Sequence, residues 1–143
     1  MTLKDTIARY CRRHSIDRLE VKAALIDMDG TLYDSMPHHA AAWVRMMAEE
    51  GCMIKPEDIY LNEGMTGVAT VDMLFKRELG HGTTKEHAAE LYARKAGYFA
   101  EMPPVEVIKG ARAMIDKFLS SGVTTVLVTG SAQGTTLGRL NDD

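Results

Sequence analysis

A short apolar run that ends in two closely spaced carboxylates is the feature that most limits how this chain can fold. The run is Ala23–Ile26, and it passes directly into Asp27, Asp29 and the glycine Gly30. An unbroken apolar segment followed by a tight turn is typical of a strand buried on both faces of a parallel sheet. Polar residues just past the carboxyl end of such a strand lie where open α/β sheets bind their ligands.

A second apolar run, rich in β-branched residues, predicts another buried strand at 123–128. A helix is predicted before it, over 110–121, because Ala111, Ile115 and Phe118 share one helical face. Strand, helical segment, helix and strand in this order favour a right-handed βαβ arrangement. The expected fold class is therefore α/β with a parallel sheet.

The stretch between the two strands is predicted to be helical, because its apolar residues recur every three or four positions. Three helices are expected, with starts and stops at Ser35 and Gly51, Thr66 and Leu79, and Thr83 and Met102. The third start depends on Thr83 and Glu86, which have capping-box spacing.

These segments divide the chain into three predicted parts. Residues 1–35 form the first part of the core, with a leader helix over 2–14 and the first strand. Residues 36–103 form a helical insert, and residues 104–143 return to the core with the second strand.

Asp27 and Asp29 are candidate metal ligands on chemical grounds alone. Two acids this close are not both comfortably ionised unless a cation lies near them. Mg²⁺ suits such a pair, because it binds one or two protein carboxylates together with waters and substrate phosphate. Gly30 then lets the backbone turn sharply beside the ligand.

The six residues from Asp27 to Leu32 resemble the nucleophile motif of the haloacid dehalogenase superfamily, DxDGT plus a variable residue, and match it at every defined position. The resemblance implies a Rossmann-like parallel-sheet core with an inserted cap and a requirement for Mg²⁺. It also implies that Asp27 attacks phosphorus to form an aspartyl-phosphate. Asp29 would protonate the leaving oxygen and later activate the water or hydroxyl that resolves the intermediate.

A second match to the superfamily lies at Thr129 and Gly130, directly after the second predicted strand. The family places a Ser or Thr at this point to hold phosphate oxygens. The Thr129 hydroxyl and the Gly130 backbone N–H would be the two donors. A Thr-Gly-Ser sequence alone is more often an ordinary turn, so its order after Asp27 carries the argument.

The helical insert resembles the small cap of the subfamily that includes β-phosphoglucomutase and many sugar-phosphate phosphatases. His39 matches a histidine that assists proton transfer in the mutase-like members, and Lys95 matches a cap lysine near the substrate. The alternative is that both side chains have no functional role and belong to solvated helix faces. A true mutase would have a sugar-binding arginine around 64–67, and this chain has no arginine there. This difference favours a phosphatase.

Three functional hypotheses follow. The first is a Mg²⁺-dependent phosphatase that hydrolyses a small phosphorylated metabolite, expected to be a sugar phosphate. The second is a β-phosphoglucomutase-like phosphomutase. The third is a non-catalytic remnant whose helical insert serves for binding or oligomerisation.

Charge and composition argue against other classes of function. The chain has 17 basic and 20 acidic residues, with no long block of either sign, so neither a nucleic-acid surface nor a membrane partner is expected. The two cysteines, Cys11 and Cys52, lie far apart and are expected to be buried thiols. With no signal-peptide pattern near its start, the protein is expected to be cytoplasmic.

The resemblance also implies parts that cannot be placed in these 143 residues. They are a lysine after a third core strand and an acidic pair after a fourth. Asp142 and Asp143 are rejected as that pair, because no strand separates them from the second motif. We therefore expect a chain truncated at its C-terminus that is weak or inactive as an enzyme by itself, with an incomplete sheet through which it could self-associate.

Overall fold

A computed structural model describes residues 2–130, and this part of the chain folds into six helices and two strands. In chain order they are α1 (Leu3–His14), β1 (Ala23–Ile26), α2 (Met36–Glu49), α3 (Pro56–Tyr60), α4 (Gly67–Leu79), α5 (Lys85–Ala100), α6 (Ala111–Ser120) and β2 (Thr124–Leu127). The predicted α/β class is confirmed, and Asp142 and Asp143 lie outside the described residues. None of the described helices is long and apolar enough to cross a membrane.

The two strands pair in parallel, as the order of elements predicts. The register aligns Ala23 with Thr124 and Ile26 with Leu127. The ladder continues past the strands, where the Val128 N–H donates to the Ile26 carbonyl at 2.8 Å. Because both strands run the same way, the residues that follow β1 and β2 emerge at one edge of the sheet.

The expectation that both strands are buried on both faces is wrong for this part of the chain. Leu25 is 73% exposed and its register partner Val126 is 41% exposed. Alternate residues point to opposite faces, and Ile26 and Leu127 face a cluster that includes Phe118 of α6. An apolar run thus predicted the strand correctly, while burial depends on what covers each face. Self-association through the incomplete sheet stays a prediction.

The helices between the strands build a separate apolar cluster. Its fully buried members are large side chains from α2, α4 and α5, together with Cys52: Met46, Met47, Val71, Leu74 and Leu91. These positions follow the three-to-four-residue periodicity of the sequence, which explains why the three long helices were predicted correctly. The division of the chain at residues 36 and 103 stays an interpretation.

The short helix α3 was missed by the sequence analysis. Pro56 occupies its first turn, and the Asp58 carboxylate accepts from the Lys55 backbone N–H at 2.7 Å. A proline followed by acids is a helix-start signal, but five residues are too few to show periodicity.

The two segments that join the helical cluster to the sheet are hydrogen-bonded to each other. The Asp34 N–H donates to the Glu106 carbonyl at 2.9 Å, and the Ile108 N–H donates to the Leu32 carbonyl at 2.8 Å. An antiparallel bridge between Tyr33 and Val107 lies between these bonds. The chain therefore leaves and re-enters the sheet region through one paired ribbon.

The predicted start of α5 at Thr83 is wrong by one residue. Thr84 is the N-cap, and its hydroxyl accepts from the His87 backbone N–H at 3.2 Å. Thr83 instead contacts the His87 ring through its hydroxyl at 2.9 Å, while its backbone N–H donates to Asp72 at 3.1 Å. Both adjacent threonines have a hydroxyl that can cap a helix, so residue spacing alone could not show which one is the N-cap.

The two threonines are expected to differ in their effect on stability. Thr84→Ala should lower the free energy of unfolding by about 1 kcal/mol, because it removes an N-cap acceptor. Thr83→Ala should cost about half as much, since it removes one side-chain hydrogen bond and keeps the backbone bond. Urea denaturation of both variants measures the difference, and a larger loss for Thr83→Ala would contradict the assignment.

Candidate active site

A tight turn after β1 fixes the two carboxylates. The Met28 carbonyl accepts from the backbone N–H groups of Leu32 and Tyr33 at 2.9 and 3.1 Å. Gly30 adopts φ +75°, and its N–H donates to the Tyr33 carbonyl at 2.8 Å. A side chain is disfavoured at this φ, so the glycine of the motif has a conformational reason.

A cavity of about 360 Å³ lies between this turn and the helical cluster. Its lining includes all six residues that the sequence pointed to: Asp27, Asp29, His39, Lys95, Thr129 and Gly130. Thr129 and Gly130 reach it because β2 ends beside β1. The structure therefore gathers the candidates in one place, while their chemical roles stay predictions.

Asp29 is held from the first turn of α2. The Ser35 hydroxyl donates to Asp29 Oδ1 at 2.5 Å, and His39 Nε2 lies 3.1 Å from the same oxygen. Ser35 is fully buried and makes no side-chain cap bond, although it stands at the N-cap position of α2. The predicted cap residue thus uses its hydroxyl on the carboxylate, a contact that helix signals could not show.

His39 connects Asp29 to Lys95. The Lys95 ammonium donates to His39 Nδ1 at 2.6 Å, and the imidazole stacks on Phe99 with ring centroids 4.2 Å apart. An ammonium has donors only, so Nδ1 must accept and the proton of a neutral imidazole lies on Nε2. His39 Nε2–H then donates to Asp29, which completes a chain of three hydrogen-bonded groups.

Lys95 is 4% exposed and lies among aromatic rings. Its Nζ is 5.6 Å from the Trp43 ring centroid, 5.8 Å from that of Tyr92 and 5.4 Å from that of Phe99. Burial lowers the pKa of Lys95 to about 8, and the negative charge of Asp29 opposes this shift. The expectation of a solvated helix face does not hold for this lysine.

The outer wall of the cavity was anticipated only in part, since the resemblance places a sugar-binding position around residues 64–67. Residues 62–65, between α3 and α4, line it together with Ile59 and Tyr92. The Tyr92 ring lies so close to Gly67 that a Cβ there would come within 2.2 Å of it. The helix-start signal at Pro56 could have found this wall, because it places a turn of helix just before the segment.

The carboxylates fit a hard cation better than a soft one. Within residues 2–130, no three His, Cys, Asp or Glu side chains gather into a possible metal site. Asp27 and Asp29 line the same cavity, so they could offer carboxylate oxygens while water and phosphate fill the other positions. This donor set suits Mg²⁺ and would be unusual for zinc.

The family of the chain is now clear from comparison with known proteins. The sequence model of the haloacid dehalogenase-like hydrolases matches residues 21–141. The chain therefore belongs to the haloacid dehalogenase-like hydrolase family, and the predicted resemblance is confirmed.

Solved structures agree with this assignment. A protein from Bacteroides vulgatus, provisionally named a beta-phosphoglucomutase, is 38% identical, with a TM-score of 0.86 over 97% of this chain and 56% of its own. A provisionally named phosphoglycolate phosphatase from Lactobacillus delbrueckii subsp. bulgaricus is 19% identical, with a TM-score of 0.62 over 78% of this chain and 55% of its own.

A third structure, the provisionally named HAD-hydrolase YfnB from Bacillus subtilis, is bound to magnesium. It is 21% identical, with a TM-score of 0.52 over 87% of this chain and 60% of its own. The second and third comparisons show the fold alone. The chain spans 55% to 60% of the length of these three structures.

Replacing Lys95 should show how much its burial lowers the free energy of unfolding. The pKa of Lys95 is about 8 when folded and 10.5 in its ordinary state, so between these values the unfolded chain holds a proton that the folded chain has lost. The natural protein therefore gains stability as pH rises from 8 to 10.5. Lys95→Met should be more stable by about 1 to 3 kcal/mol at pH 7 and lose this advantage by pH 10.5.

Urea denaturation at pH 7, 9 and 10.5 measures this difference. The exposed Lys85, on the same helix, supplies the control variant Lys85→Met, whose difference from the natural protein should not vary in this way. A Lys95→Met protein that is less stable at pH 7 would show that the contacts of the ammonium outweigh its desolvation.

Proposed function

We propose that this chain carries the nucleophile end of a Mg²⁺-dependent phosphatase, which hydrolyses a small phosphorylated metabolite through an aspartyl-phosphate. The observation that carries the proposal is the placement of Asp27, Asp29 and Thr129 around one cavity, with His39 and Lys95 behind Asp29. The expected substrate is a sugar phosphate, as the resemblance implies, and the cavity of about 360 Å³ has room for a molecule of that size.

In the first step an Asp27 carboxylate oxygen attacks phosphorus, and the ester P–O bond breaks. The leaving oxygen takes its proton from Asp29, so the products are an acyl phosphate on Asp27 and a free alcohol. The Thr129 hydroxyl and the Gly130 N–H would hold phosphoryl oxygens, and the proposal is supported by both residues lining the cavity just after β2.

In the second step water attacks the acyl phosphate and gives its proton to Asp29. The Asp27–phosphorus bond breaks, inorganic phosphate leaves, and both carboxyl groups return to their starting states. One residue can serve as acid and then as base because each step reverses the proton transfer of the other.

Ser35, His39 and Lys95 are positioning residues for Asp29. Ser35 and His39 both donate to Asp29 Oδ1, so they fix the orientation of the carboxyl group. Lys95 holds His39 in the tautomer that donates to Asp29. The proton of the acid/base residue is therefore kept at a defined place.

Mg²⁺ would be held by Asp27 and by an oxygen of Asp29 that does not carry the exchanged proton, and when bound it would offset the negative charge that carboxylate and phosphate share. The magnesium in the Bacillus subtilis neighbour supports the same choice of ion.

Phosphate release tests the proposal directly. A panel of hexose and triose monophosphates with Mg²⁺ should yield inorganic phosphate with the natural protein, and Asp27→Asn should reduce the rate by at least about 10³-fold, because the nucleophile is lost. Asp34→Asn is the matched control, since Asp34 is exposed and does not line the cavity. Equal rates in Asp27→Asn and Asp34→Asn would overturn the proposal in favour of a non-catalytic remnant.

A phosphomutase is the second candidate, and the 38% identity to the protein named a beta-phosphoglucomutase favours it. In that reaction a sugar hydroxyl replaces water in the second step. Adding a sugar bisphosphate to a hexose phosphate should then produce its isomer, measured by NMR. Phosphate release without any isomer would exclude the mutase.

A further inference from the structure

The charges on the cavity wall are unevenly distributed. Among the described lining residues, the acidic side chains are Asp27, Asp29 and Glu63, and Lys95 is the one lysine. Arginine does not occur in that lining. The wall formed by residues 62–65 therefore contributes a negative charge and no positive one.

Lys95 does not compensate for Glu63. Its ammonium donates to His39 Nδ1 at 2.6 Å, and the negative charge of Asp29 acts on its pKa. The positive charge thus belongs to the end of the cavity that holds the catalytic carboxylates. A substrate whose phosphate lies at Asp27 would reach the wall at residues 62–65, where the described lining offers no cation to pair with.

Neutral groups on that wall, and on α4 beside it, also offer more hydrogen-bond acceptors than donors to a substrate. One N–H of the Asn62 amide is used on the Asp58 carbonyl at 2.7 Å, and the Thr70 O–H is used on the Thr66 carbonyl at 3.1 Å. The Thr70 oxygen and the Glu63 carboxylate remain as acceptors, while the second Asn62 N–H remains as one donor. Hydroxyl and ammonium groups can donate to such a wall, whereas carboxylates and phosphates cannot.

We propose that Glu63 is a specificity-determining residue that selects phosphate monoesters whose remaining groups are hydroxyls or amines and rejects those that carry a carboxylate or a second phosphate. The proposal rests on the function proposed above, because it assumes that the phosphoryl group lies at Asp27. A second anion beside Glu63 would lose water without gaining a cation or enough donors, so discrimination comes from repulsion as much as from attraction.

Two matched probes isolate this effect. Glycerol 3-phosphate and 3-phosphoglycerate differ at one end, where the first has a hydroxymethyl group and the second a carboxylate. With the full chain, Mg²⁺ and low salt, phosphate release should give a higher kcat/KM for glycerol 3-phosphate. Glu63→Gln should lower that preference about threefold and Glu63→Lys about tenfold, since Glu63 is exposed and its field is partly screened.

Glu90→Lys is the control for net charge, because Glu90 is exposed on α5 and does not line the cavity. It should leave the ratio of the two kcat/KM values unchanged. An equal or reversed preference in the natural protein, or a ratio that Glu63→Lys shifts no more than Glu90→Lys, would overturn the role of Glu63 while leaving the phosphatase intact. Absence of phosphate release from every monophosphate would instead overturn the proposed function and this inference with it.

Discussion

Parallel pairing of β1 and β2 is the constraint on which the candidate site depends. The register that aligns Ile26 with Leu127 brings Asp27 and Thr129 out at one edge of the sheet. Antiparallel pairing of the same four-residue strands would separate these residues by about 20 Å, since they would lie about six residues apart along the strands and a strand rises about 3.3 Å per residue. Asp27 and Thr129 can line one cavity only because the strands run the same way.

The burial of Lys95 is the main electrostatic cost in the described part of the site. Stacking of His39 on Phe99 and the surrounding rings exclude water from the ammonium, which lowers its pKa. A lysine held in this way keeps the imidazole in one tautomer. The loss of stability thus accompanies a fixed position of the imidazole proton, a trade-off that is common at functional sites.

Local sequence patterns predicted the elements and the catalytic turn well, because the signals for a buried strand and a glycine turn lie within a few residues. Periodicity likewise located α2, α4 and α5. The exposure of Leu25 was not predictable in the same way, since it depends on whether another segment covers that face. The start of α5 was missed because Thr83 and Thr84 carry the same chemistry.

Contacts across long separations were harder to predict than elements. His39 and Lys95 are 56 positions apart, and only the resemblance to a family placed both near the substrate. Ser35 was expected to cap a helix, and no local signal indicated that its hydroxyl binds Asp29. Of the wall at residues 62–65, Asn62 and Glu63 were missed, because they follow a helix too short to show a period.

Ser35 and His39 are one helical turn apart, and the His39 backbone N–H donates to the Ser35 carbonyl at 3.0 Å. Both side chains contact the same oxygen of Asp29, so the start of α2 holds that carboxylate through two contacts. A tilt of α2 would lengthen both contacts together, since the turn moves as a unit. The orientation of the Asp29 carboxyl group therefore depends on the angle of a helix that also packs into the helical cluster, through Met46 and Met47.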